Sequence, residues 1–146
     1  MPVSRALRRL LRVRQLEEDQ QRLALETALA DLHRLQESLA CSQQRDRRGR
    51  ELVTSSCRTG ELADRLAGIE ESRSSLQQAG LLENKIAKAS ERVGELRDAY
   101  LSTRVERRQA ETVIAETESR DALEATRRGQ QDMDDWHRTR GSRRAT

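Results

Sequence analysis

Apolar residues recur along the first third of the chain at helical intervals. Leu7, Leu10, Leu11, Leu16 and Leu23 are followed by Leu25, Ala28, Leu32, Leu35 and Leu39, which alternate steps of three and four. Such steps keep side chains on one stripe of an α-helix and form the seam of a coiled coil. A second series runs through Leu62, Leu66, Ile69, Leu76, Leu82, Ile86, Ala89, Val93, Leu96 and Tyr100, then more sparsely through Ala110 and Ile114. Between the two, residues 52–60 collect Val, Thr, Ser and Cys and end on Gly60, a poor helix-forming stretch suited to a chain reversal. A rival reversal at Ser72 to Gly80 would give two equal helices, but glycine costs only about 1 kcal/mol inside a helix. The pattern therefore predicts an all-α fold, a single elongated antiparallel coiled-coil hairpin. Helix 1 covers about 4–53, the turn about 54–61, helix 2 about 62–138 and a basic tail 139–146. At 1.5 Å per residue the helices would be about 75 and 110 Å long, so the second overshoots the first. Pairing partners whose numbers add to about 118 leave the residues beyond that point without a mate.

Composition strengthens this reading. Only 34% of the 146 residues are hydrophobic, Phe is absent, and Tyr100 and Trp136 are the only aromatics. A globular core and a base-stacking platform are both excluded by so few large rings. The sole proline is Pro2, and Arg, Glu, Leu, Ala and Gln dominate, as in long helices. Low hydrophobicity with 36% charged residues is also a signature of disorder, but the net charge is only +3 and the leucines keep helical spacing. Pairs with the acid four residues before the base (Glu18 with Arg22, Glu61 with Arg65, Glu116 with Arg120, Glu124 with Arg128, Asp134 with Arg138) mark exposed helix faces.

The longest uncharged run, Ser74 to Leu82, is far short of the ~20 residues a membrane span needs. The acid-free, arginine-rich start resembles a transit peptide in composition, yet the same helical pattern continues past Glu17 without a break. A soluble protein is expected. Cys41 and Cys57 stand outside any CxxC spacing and read as reduced thiols. His33 and His137 are too few to build a metal site, and His33 with Glu37 reads as a solvated pair. No glycine belongs to GxxxxGK[ST] or GxGxxG, so no phosphate loop exists. A two-helix fold offers no water-excluding pocket, which argues against catalysis and against a small-molecule substrate. No cofactor is expected.

Candidate binding chemistry lies at the two ends. Arg5, Arg8, Arg9, Arg12 and Arg14 fall in a stretch without an acid, and Arg138, Arg140, Arg143 and Arg144 close the chain. Clustered cations bind phosphates of nucleic acid or anionic lipid, though arginines flanking a leucine stripe are more often a solvated face. No basic-zipper pattern is present, and nucleic acid is a weak reading. The segment Arg127, Arg128, Gly129, Gln130, Gln131, Asp132, Met133, Asp134, Asp135, Trp136 places the one tryptophan and a methionine in the overshooting part of helix 2. Exposed Trp and Met flanked by charge anchor interfaces; the plainer alternative is a Trp folded over the end of the hairpin.

These pieces together resemble the FliJ/YscO (SctO) stalk proteins of flagellar and injectisome type III secretion, with a lean toward the injectisome branch. The resemblance rests on Leu10-Leu11-Arg12-Val13-Arg14-Gln15-Leu16-Glu17-Glu18 at the start, on Arg107-Arg108-Gln109-Ala110-Glu111, and on the Arg127 to Trp136 segment. It implies a non-catalytic central stalk, similar to the rotary ATPase γ subunit, in the hole of a hexameric secretion ATPase. It further implies contact with the cytoplasmic domain of the export gate, contact with export chaperones, and a cytoplasmic position, peripheral at the inner-membrane secretion apparatus. The partner-binding residues expected are Arg5, Arg8, Arg9, Arg12, Arg127, Arg128, Gln131, Met133, Asp135 and Trp136. Two other classes fit the residues alone: a cytoplasmic coiled-coil adaptor or chaperone unrelated to secretion, and a basic binder of nucleic acid or anionic membrane.

Overall fold

A computed structural model describes residues 3–144. The chain forms two helices, α1 (Arg5–Thr59) and α2 (Leu62–Arg144), packed as an antiparallel hairpin with the second helix longer. Ser4 starts α1 as an N-cap: its Oγ accepts the Ala6 N–H at 3.1 Å and its carbonyl accepts the Arg8 N–H at 3.2 Å.

Helix α1 runs to Thr59, past the expected end at 53. Thr54, Ser56 and Thr59 turn their hydroxyls back onto the carbonyls of Arg50, Val53 and Ser55. These bonds form within a helix, so the hydroxyls of these poor helix formers are satisfied without leaving it. Gly60 then stops the helix at φ 75°, a left-handed position that costs glycine nothing, and its N–H donates to the Ser56 carbonyl at 2.8 Å. The reversal is confined to Gly60 and Glu61. Helix α2 likewise continues through the expected basic tail as far as 144, and the last two residues of that tail lie outside the described residues.

Contacts cluster in two units, Gln21–Tyr100 and Met1–Gln20 with Leu101–Thr146. Within the first, Leu25, Ala28, Leu32, Leu35 and Leu39 of α1 are half-buried at the heptad spacing the sequence predicts, and Leu82, Ile86, Ala89, Val93 and Leu96 supply the matching stripe of α2. Nearer the turn the expectation fails. Leu62, Leu66, Ile69 and Leu76 are exposed (67%, 59%, 48% and 51%). The stripe that turns inward is one residue out of phase: Gly68, Ser75 and Ala79 are buried and Ser72 half-buried, opposite buried Ser42, Asp46, Gly49 and Ser56.

The reason is the closeness of the two backbones. A Cβ on Gly49 would stand 2.7 Å from the Gly68 carbonyl oxygen, and one on Gly68 would stand 2.6 Å from that of Gly49. No leucine fits between helices that touch through their main chains. The polar members of this seam are satisfied: Ser72 donates to the Asp46 carboxylate, which also accepts Arg50 at 3.1 Å, and Ser75 donates to the Glu71 carbonyl at 2.6 Å. Among the described residues no buried side-chain polar atom lacks a partner, as burial requires.

At the edge of this unit Arg45 bridges to Glu71 at 2.8 Å and to Gln78 at 3.1 Å. The hydrogen bond from Arg45 holds the Glu71 carboxyl below its ordinary range. A carboxyl lowered in the folded state adds stability above its unfolded pKa and loses it as pH falls through the folded value. Urea unfolding across the acid range should therefore show a shallower loss of stability for Arg45→Gln than for the parent, by a small amount because both partners are half-exposed. An unchanged pH slope would mean that the bridge is not held in solution.

In the second unit ion pairs join half-buried Leu7, Leu11, Ala110 and Ile114 in the seam. Arg14 on α1 reaches Glu17 at 3.0 Å and Glu106 on α2 at 2.7 Å; Arg107 on α2 bonds Glu18 of α1 and Glu111 at 2.7 Å. The Arg14 guanidinium is pushed up by its hydrogen bond to Glu17 and by the Glu106 charge, and Arg107 is pushed up first by Glu18 and then by Glu111. Glu18 thus crosses to α2, and Arg22 reaches Glu26 at 4.0 Å. Ion pairs at seam positions fix register, because a slip along the helix separates them. Of the expected surface pairs, Glu124 with Arg128 stands at 3.8 Å. Burial along α2 ends at Asp121, and residues 122–143 are all exposed.

Candidate functional site

The amino-terminal arginines lie on the first two turns of α1. At about 100° per residue, Arg5, Arg8, Arg9 and Arg12 fall within roughly 100° of one another, opposite the seam of Leu7, Leu11 and Arg14. All four are exposed, and no carboxylate among the described residues pairs with them. This is an uncompensated cationic face, held at a fixed spacing by a capped helix.

The other candidates stand on α2 beyond its last contact with α1. Continuing the seam past Ile114 gives Thr117, Asp121, Glu124, Arg128, Gln131 and Asp135. A stripe so polar calls for no covering helix, and its members beyond Asp121 are exposed. Met133 (61% exposed) and Trp136 (51%) lie to one side of this stripe. The Arg140 guanidinium sits 4.7 Å from the Trp136 ring centre, and His137 meets the ring edge-on at 5.1 Å. Trp136 therefore touches only its own helix in these contacts, and the alternative of a Trp folded over the end of the hairpin is not what is seen.

The expected residues do not share one face. Met133, Trp136 and Arg140 lie within about 60°, whereas Arg127, Arg128, Gln131 and Asp135 gather on nearly the opposite side of the helix. Thr139, which lines a shallow groove with Trp136, Arg140 and Arg143, was not among the candidates, and the two arginines entered only as part of the basic carboxyl end and not as partner-binding residues. Their signal was available in the i+3, i+4 and i+7 positions after the tryptophan.

A second surface emerges near the turn. Val53, Ile69 and Leu76 line a groove of ≈ 610 Å³ together with Arg50 and Arg73. Sequence reasoning assigned Ile69 and Leu76 to the seam and so missed it; two heptad stripes offset by one residue on α2 are the signal that separates an inward from an outward face. The exposed Cys41 and Cys57 face no metal-ligating group of three or more among the described residues.

A family model described as the flagellar FliJ protein matches residues 4–146. The chain belongs to the FliJ family. No curated protein and no solved structure gives a match. Membership makes this FliJ-family chain a component of flagellar or type III protein export, and the matched description is the flagellar one, not that of the injectisome branch. Among the described residues no helix is long and apolar enough to cross a membrane.

Proposed function

We propose that this FliJ-family chain is the non-catalytic central stalk of a type III export system, acting in the cytoplasm at the inner-membrane apparatus. Its amino end and the free extension of α2 bind a hexameric secretion ATPase. The export gate's cytoplasmic domain is the second partner, and export chaperones are further ones. The observation that carries this reading is the extension itself: twenty-two residues, 122–143, remain helical and exposed after the last seam position. A helix so long with no mate inside the chain is built to meet something outside it.

The chemistry supports a ring as that partner. Arg5, Arg8, Arg9 and Arg12 offer charge in one direction, and Arg127, Arg128, Gln131 and Asp135 offer polar contacts on one side of the extension. Met133 and Trp136 offer apolar anchoring on the other. A segment presenting two unlike faces suits a position surrounded by subunits better than one flat contact. The groove of Val53, Ile69 and Leu76 is an apolar surface lined also by Arg50 and Arg73, suited to the gate. Turnover of ATP by the cognate hexamer, titrated with this chain, should rise to a plateau as the stalk biases ring assembly or its nucleotide states. No change up to saturation would remove the stalk reading and leave a coiled-coil adaptor.

A further inference from the structure

The extension of α2 contains a glycine that no contact requires. A Cβ built on Gly129 meets nothing within 4 Å, and its φ is an ordinary helical one. It lies seven residues before Trp136, in a stretch whose every residue is exposed. Gly60 takes a left-handed turn and Gly49 and Gly68 let two backbones touch; Gly80, Gly94 and Gly141 also meet nothing within 4 Å, but Gly80 and Gly94 lie where α2 is packed and Gly141 follows Trp136. Gly129 has only its cost, the entropy of a residue without a side chain held in a helix.

We propose that Gly129 sets the helix population of the Trp136-bearing end, so that residues 130–144 are a partly folded element completed by the partner. Helix growth beyond the packed part of α2 needs no new nucleus, since the preceding turns already exist, and each further residue adds close to nothing either way. In such a balance one unfavourable residue lowers the population of everything after it. Glycine in place of alanine lowers it by about fivefold. Local pairs pull in the other direction: Glu124 with Arg128 at 3.8 Å before the glycine, and Arg140 over the Trp136 ring after it. The last arginines also sit favourably at the negative end of the helix dipole. The result is an anchor whose faces form on binding, with part of the contact free energy spent on ordering, which keeps the association reversible. The consequence for affinity rests on the stalk reading; the helix population does not.

Amide hydrogen exchange on the free, full-length chain tests this directly. Amides 130–142 should exchange at least about tenfold faster than amides 103–117, and Gly129→Ala should slow those beyond position 129 by about fivefold. Gly94→Ala, where a Cβ also meets open space, should leave them unchanged. Added ATPase hexamer should protect 130–142, and Gly129→Ala should tighten that binding by up to about fivefold. Equal protection of the two segments in the free chain, or no effect of Gly129→Ala on exchange, overturns the proposal. Exchange that behaves as stated without any binding to the hexamer upholds it and removes the stalk reading instead.

Discussion

Trp136→Ala should weaken binding to the hexameric ATPase by about thirtyfold or more, about 2 kcal/mol, while leaving helicity and melting of the free chain nearly unchanged. The asymmetry follows from where the ring sits. Its recorded partners, Arg140 at 4.7 Å and His137 at 5.1 Å, belong to the same turn of α2, so nothing between the helices is lost with it. Removing an exposed indole from an unpacked helix costs the fold little. In a complex the same ring is desolvated, and Arg140 moves with it into a less polar environment where the cation–π contact strengthens. Arg5, Arg8, Arg9 and Arg12 act differently: as exposed charges each adds little affinity, but together they set the salt dependence. Replacing all four by alanine should flatten the dependence of binding on ionic strength, and Trp136→Ala should leave that slope alone. Isothermal titration at several salt concentrations separates the two. A melting transition lowered by Trp136→Ala would show the ring to be structural packing. Unchanged binding would move the anchor to the groove near the turn.

The helical fold was legible because spacing at three and four residues reports a buried stripe whatever the residues are. Leu25 to Leu39 and Leu82 to Leu96 kept both the spacing and the apolar character, and their place in the seam could be read directly. The free extension was also legible, since a second helix with more residues than the first must run on alone. Two things were not. The seam near the turn is made of Gly, Ser, Ala and Asp, and size-based reading prefers Leu62, Leu66, Ile69 and Leu76 at the same period. Only the distance between the backbones decides the case, and no pattern within a single helix contains that distance. The ion pairs of Arg14, Glu18 and Arg107 in the seam were hidden for a related reason: charged residues at heptad positions look like surface until their partners across the hairpin are known. At the candidate site the residue types were readable and the faces were not. The segment from Arg127 to Trp136 is compact in sequence, but a helix distributes it around its circumference and parts Trp136 from Gln131 and Asp135.

The contact between Gly49 and Gly68 supplies the largest expected effect on stability. Gly68→Ala puts a methyl 2.6 Å from the Gly49 carbonyl oxygen, 2.9 Å from Val53 Cγ2 and 3.1 Å from the Val53 nitrogen; Gly49→Ala puts one 2.7 Å from the Gly68 carbonyl oxygen and 2.9 Å from the Ser72 nitrogen. Two of the obstacles to each methyl are main-chain atoms of the opposite helix, which cannot rotate out of the way as a side chain could. The helices must separate locally, and Ser72 then loses its reach to Asp46. Overpacking of this kind costs typically 1–3 kcal/mol, and the separated hydrogen bond adds about 1 kcal/mol more. Equilibrium urea unfolding should place Gly68→Ala and Gly49→Ala about 2–4 kcal/mol below the parent. Gly80→Ala, with nothing within 4 Å of its Cβ, should be neutral or more stable by up to about 1 kcal/mol. The double variant discriminates further. Once one methyl has opened the gap, the second enters space already made, so the pair should cost clearly less than the two single losses together. Losses that add in full would mean that each glycine is needed for its own backbone and not for the contact between them. Single losses below about 0.5 kcal/mol would show that the helices do not approach this closely in solution.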